Sequence, residues 1–131
     1  MKPAALDDVV RFADMFAAMG AESRVRIMQQ LLSSHPEGMV VGEIQAILGL
    51  SGSNMSHHLD KLKNEGLVDV QREGTYLRCR ANVTALQQLL SFLYSECCTR
   101  SKAINPNYFV KACRSARGGE AVEFRKTVKP R

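Results

Sequence analysis

Apolar residues recur at helical spacing from the start of the chain: Leu6, Val9, Ala13 and Phe16, with Val10 and Ala17 beside them, in a run that stops at Gly20. Positions three and four apart share one face of an α-helix, so the pattern predicts a first helix there. After the glycine, "AESRVRIMQQLLSS" sets Val25, Met28, Leu31 and Leu32 on one face of a second helix, which Pro36 and Gly38 end. Two shorter patterns follow, one holding Ile44, Ile47 and Leu48, the other Met55, Leu59 and Leu62, separated by "GLSGS". A short helix, a glycine-bearing turn and a second amphipathic helix predict a helix-turn-helix, whose second helix can enter the major groove of DNA.

The pattern then changes to strand-like runs, "LVDVQR" and "TYLRCR", joined through "EG" and turning at Gly74. A hairpin directly after a helix-turn-helix is a wing. Alternation puts Leu77, Cys79 and Ala81 on one face and Tyr76, Arg78 and Arg80 on the other, so Cys79 is expected to point inward. A last helix follows in "NVTALQQLLSFLYSECC", with Leu86, Leu89, Leu90, Leu93 and Cys97 in one stripe and Asn82 or Thr84 available as N-cap. The preceding helices already supply a core, so this stripe is expected to pack against a second subunit. Beyond Thr99 the periodicity fades, apart from a short helix expected around "NYFVKAC". The expected fold is mainly α with a small β-hairpin: a winged helix-turn-helix of about five helices plus the wing. Residues 1–98 would form the DNA-binding and dimerisation domain, and residues 99–131 a basic, mostly irregular tail.

Composition adds constraints. The 131 residues, 45% apolar, suit one core-bearing domain plus a tail. No apolar run approaches the roughly 18 residues of a membrane span, and "MKPAALDDVV" is acidic where a signal peptide would be basic, so a cytoplasmic protein without a membrane partner is expected. The net charge of +5 is unevenly placed: residues 1–98 carry 9 Lys/Arg against 11 Asp/Glu, residues 99–131 carry 9 against 2. A tail of that charge suits either a solvated segment or non-specific contact with nucleic acid. The three histidines, His35, His57 and His58, stand in no spacing that sets a base beside a nucleophile, so an enzyme is not expected.

The stretches "MGAESRVRIMQQLL" and "VGEIQAILGLSGSNMSHHLDKLKNEGLVDVQREGTYLRCRAN" resemble the ArsR/SmtB family of winged helix-turn-helix, metal- and metalloid-responsive repressors, over about residues 12–98. The most specific part is a recognition helix, a Gly-Leu-Val strand start and an Arg-Glu-Gly wing tip occurring in register. The resemblance implies a homodimer built on the first and last helices, binding a two-fold symmetric double-stranded operator and leaving it when an inducer binds. Such dimers place two recognition helices in successive major grooves, roughly 34 Å apart.

With Met55, Leu59 and Leu62 on the core side, Ser53, Asn54, Ser56, His57 and Lys61 are left to face the groove or its rim. His58 is expected to be a half-buried packing residue. On the wing, Arg72, Thr75 and Arg78 are candidates for backbone or minor-groove contact. The net charge of −2 over residues 1–98 is in tension with this, because phosphate binding rests on basic side chains.

Four cysteines, Cys79, Cys97, Cys98 and Cys113, remain. Neighbouring Cα atoms lie about 3.8 Å apart, below the roughly 4.4–6.8 Å a disulfide spans, so a Cys97–Cys98 bond would be strained. The cysteine pair that many members of the family carry at the start of the first helix of the helix-turn-helix is absent, since that position reads "MVVGEI". The Asp and His ligands of zinc-sensing relatives are missing from the last helix too. The sulfur-only set that is left suits thiophilic centres, trivalent arsenic among them. Some arsenic-responsive relatives similarly carry adjacent cysteines at the end of the last helix. The expected inducer is thus a trivalent arsenic species, arsenite or methylarsenite, held by Cys97 and Cys98, with no constitutive cofactor. Cys79 is a candidate third ligand and Cys113 a weaker one, and a two-sulfur site needs neither. Residues 84–98 span about 22 Å as helix at roughly 1.5 Å per residue, which leaves Cys79 at the far end unless a partner subunit brings it near. Two alternatives stand: a thiol-based redox or reactive-sulfur sensing repressor of the same fold, and a winged-helix module used for protein interaction.

Overall fold

A computed structural model of the chain describes residues 6–98 together with residues 107, 108 and 111. In chain order the elements are α1 (Leu6–Met19), α2 (Glu22–Ser33), β1 (Met39–Val40), α3 (Val41–Leu48), α4 (Gly52–Asn64), β2 (Val68–Glu73), β3 (Tyr76–Ala81) and α5 (Val83–Cys98). This is the winged helix-turn-helix expected from the sequence, with five helices and a small antiparallel sheet within residues 6–98. Asn107, Tyr108 and Lys111, inside the segment expected to form a short helix, are helical. The rest of that segment and of the tail lies outside the described residues. The chain divides into two compact units, Met1–Leu93 and Tyr94–Arg131, so the boundary falls within α5.

The core of the first unit gathers one face of each helix. Phe12, Met15 and Ala18 come from α1, Ile27, Met28 and Leu31 from α2, Ile44 from α3, Met55, Leu59 and Leu62 from α4, and Ala85 and Leu89 from α5. Leu67, Val68, Cys79 and Ala81 close it from the wing side. Each fully buried Leu, Ile or Met contributes about 1.5–3 kcal/mol relative to exposure.

Several expectations change. The α5 stripe is not left whole for a second subunit: Leu89 is buried in the chain's own core with Leu86 packed against it, and Leu90 and Leu93 stay exposed. In α1 the expected stripe of Val9, Ala13 and Phe16 faces outward, with Phe16 40% and Val10 53% exposed. The helix carries a second apolar face about 100° away, Phe12 and Met15, and that one is buried. In α2, Ile27 takes a core position, whereas Val25 and Leu32 flank the buried face and are exposed; Ile47 of α3 is likewise exposed. In β3, Leu77 shares the face of Cys79 but is exposed, because the hairpin runs past the edge of the core before it turns.

The sheet has three strands rather than two, in the order β1-β3-β2. Met39 and Val40 pair with Cys79 and Arg78, while Val68 through Glu73 pair with Ala81 through Tyr76. Gly38 makes the extra pairing fit: its φ is 77°, and a Cβ there would collide with the carbonyl oxygen of Cys79. In the helix-turn-helix, Gly49 ends α3 in the left-handed conformation at φ 66°, which turns the chain sharply toward α4.

Candidate nucleic-acid interface

Ser51 caps α4, its Oγ accepting a hydrogen bond from the Asn54 backbone N–H at 3.3 Å. Met55, Leu59 and Leu62 anchor the helix in the core, and this fixes what its outer side presents. Ser53, Asn54, Ser56, His57 and Lys61 are all exposed, as the sequence predicts. Asp60, absent from that reading, lies on the same outward arc. Hydroxyl, amide, imidazole, carboxylate and ammonium groups together form a surface that can read base edges and hold phosphates; a carboxylate accepts from a cytosine amino group. Lys61 also lines a cavity of about 240 Å³ between α1, α2 and α4, together with Asp14, Arg24, Asn64 and Glu65.

His58 turns inward from α4, half-buried, as expected of a packing histidine. Its Nδ1 and the Nε of Arg24 are enclosed without a hydrogen-bond partner. Burial, and then the charges of Arg24 and His57, hold its pKa below the ordinary 6.5. The imidazole is therefore neutral at physiological pH.

On the wing, Arg72 and Thr75 are exposed. Arg78 is committed within the protein: its Nε donates to both carboxylate oxygens of Glu73, at 2.9 and 3.0 Å, which raises its pKa further. Arg80 lies 3.7 Å from the same carboxylate and donates to Gln71 Oε1 at 2.8 Å. The sequence reading of Arg78 as a contact residue did not include Glu73, whose side chain reaches diagonally across the hairpin.

The thiols are distributed unequally. Cys79 points inward, as alternation predicts, is fully buried, and burial pushes its thiol up to about 11. A protonated thiol in a closed core is a packing group, the opposite of what a thiolate ligand needs. Cys97 and Cys98 are the last two residues of α5. Cys113 lies outside the described residues. Among the described residues no three His, Cys, Asp or Glu side chains converge on a metal-sized site.

Helices α1 and α5 meet through Phe12 and Phe92, stacked at 4.5 Å between ring centroids, and through Arg11 donating to Gln88 Oε1 at 3.1 Å. On the same two helices Val9, Val10 and Phe16 of α1 and Leu90 and Leu93 of α5 are exposed. No described helix is long and apolar enough to cross a membrane.

Residues 21–70, from α2 into β2, match the family of bacterial regulatory proteins named arsR. The chain is 33% identical over 86 residues to the HTH-type transcriptional regulator YgaV of Escherichia coli, covering 66% of this chain and 85% of that protein. It is 34% identical over 85 residues to the transcriptional activator HlyU of Vibrio cholerae, covering 63% and 76%. The solved structure of HlyU superposes with a TM-score of 0.58 at 26% identity, over 72% of this chain and 99% of that one, and a reduced form of HlyU also matches. A "possible transcriptional regulator for arsenical resistance" matches at a TM-score of 0.56 and 28% identity, over 63% and 82%. The homodimeric winged helix-turn-helix DNA-binding domain Mb0332 of Mycobacterium bovis shares the fold, at a TM-score of 0.57 and 21% identity over 73% and 90%. With its five helices, wing and polar recognition helix, and with these relatives, the chain belongs to the arsR family of bacterial regulatory proteins and is a DNA-binding transcriptional regulator, not an enzyme.

Proposed function

We propose that this regulator is a homodimeric repressor that leaves its operator when a trivalent arsenical is captured by Cys97 and Cys98. The observation that carries the reading is the adjacent cysteine pair closing α5 in a chain whose Cys79 thiol is consumed by the core. Two neighbouring thiolates suit an organoarsenical that keeps its carbon substituent, and a third from Cys113 would complete arsenite. The relative named for arsenical resistance is in keeping with this.

Dimerisation is supported by the exposed apolar residues of α1 and α5, apolar surface that costs free energy in water and that a second copy would cover. Each copy then offers α4 to one major groove of a two-fold operator. Capture of arsenic at the end of α5 reorders that helix beside the dimer seam, and the population shifts to a dimer whose recognition helices no longer match successive grooves.

The test is fluorescence anisotropy of an upstream duplex titrated with arsenite and methylarsenite under strong reductant. Wild type is released, and a Cys97→Ser, Cys98→Ser double variant stays bound. Normal release of the double variant rules out the paired-thiol sensor. A second reading, a thiol redox repressor, draws on the similarity to HlyU, a protein solved in a reduced form. It predicts release by oxidant and none by arsenicals under reductant.

A further inference from the structure

The wing holds three arginines, Arg72, Arg78 and Arg80, and they are not equivalent. Arg72 is exposed and has no ion pair among the described residues, whereas Arg78 and Arg80 converge on one carboxylate, that of Glu73. The strand register explains the convergence. Glu73 pairs with Tyr76 and Gln71 with Arg78, so Glu73, Gln71, Tyr76, Arg78 and Arg80 share the face of the hairpin turned away from the core. Gln71 takes the other end of Arg80, and Glu37 lines the same shallow recess as Glu73 and the two arginines. A carboxylate accepting from a guanidinium at 2.9 and 3.0 Å presents the acceptor and charge arrangement that a DNA phosphate would offer it.

We propose that Glu73 is a built-in competitor of DNA phosphate: it holds Arg78 and Arg80 in the free protein and so weakens sequence-independent binding through the wing. The proposal rests on the wing facing the DNA backbone. A phosphate gains either arginine only by displacing Glu73. The wing therefore contributes fewer net charges to binding than its arginines suggest, and selectivity falls more heavily on α4. This bears on the −2 charge of residues 1–98: an acid set within the basic wing lowers affinity for operator and non-operator duplexes by the same factor, which leaves discrimination to the base contacts of α4.

The experiment compares full-length wild type, Glu73→Gln, an Arg78→Gln, Arg80→Gln double variant and the triple combination. Affinity for an operator duplex and for a scrambled duplex is measured across salt concentrations, with thermal melting to check folding and Glu73→Ser as a second removal of the charge. Glu73→Gln is expected to bind both duplexes more tightly, with log K falling more steeply with log salt by about 0.9–1.8, the equivalent of one to two more phosphate contacts. Its ratio of operator to scrambled affinity should stay as in wild type, because contact with phosphate carries no sequence information. The triple variant should match the arginine double variant, because Glu73 acts through the arginines. If the arginine variant weakens binding while both Glu73 variants behave as wild type, the competitor role is overturned and wing contact stands. If the arginine variant itself binds as wild type, the wing does not engage the backbone through these residues and both ideas fail.

Discussion

Helices α4 and α1 carry similar numbers of residues, yet they use their apolar side chains differently. Every apolar residue of α4, Met55, Leu59 and Leu62, is buried, and what remains outward is polar. Helix α1 buries Phe12 and Met15 but leaves Val9, Val10 and Phe16 in the open, as α5 leaves Leu90 and Leu93. A helix with one apolar face satisfies its own domain and leaves the other side for a polar partner; a helix with two has apolar surface that its own domain does not cover. The first arrangement suits DNA and the second suits another copy of the protein.

This contrast can be broken at its apolar end. A Phe16→Glu, Leu90→Glu double variant should sediment as one chain where wild type sediments as two, and operator affinity should fall by roughly 100-fold or more once two half-sites are no longer bound together. A wild-type melting temperature that rises with protein concentration would agree. If the variant keeps its mass and its affinity, the exposed face of α1 and α5 is not the seam.

At the polar end, Asn54→Ala should leave mass and melting unchanged and weaken operator binding by about 1–3 kcal/mol, the range of a good base contact. Equal weakening on scrambled DNA would instead assign Asn54 to phosphate. The smallest effect concerns His58, which links α4 to α2. Its folded pKa lies below the 6.5 of an exposed histidine, so below about that pH the unfolded chain takes up a proton that the folded chain resists. Stability should fall as pH drops through that window and be constant above it, and His58→Gln should flatten the dependence measured by urea unfolding.

The same contrast decides what was legible in the sequence. One-sided α4 read correctly, down to His58 at the margin, because only one face could be buried. Two-sided α1 did not: Val9, Ala13 and Phe16 satisfy helical spacing as well as Phe12 and Met15 do, and periodicity alone does not say which stripe meets the core. Alternation placed Cys79 correctly but overreached at Leu77, since strand period carries no information about where the core ends. Strand β1 is two residues long and depends on Gly38 approaching Cys79, a tertiary contact with no local pattern. Glu73 escaped notice because its partners lie across a hairpin whose register only the fold supplies. Asn82, by contrast, caps α5 as its position before the helix suggested, its Oδ1 accepting from the Ala85 N–H at 3.1 Å.

Hydroxyl-radical footprinting of the wild-type protein on its own upstream DNA tests the central claim, that two copies present α4 to one operator. Two protected patches related by two-fold symmetry, with centres about one helical turn or roughly 34 Å apart, are the predicted result. A single patch would contradict the paired arrangement, and no protection even at low salt would make the fold a protein-interaction module instead.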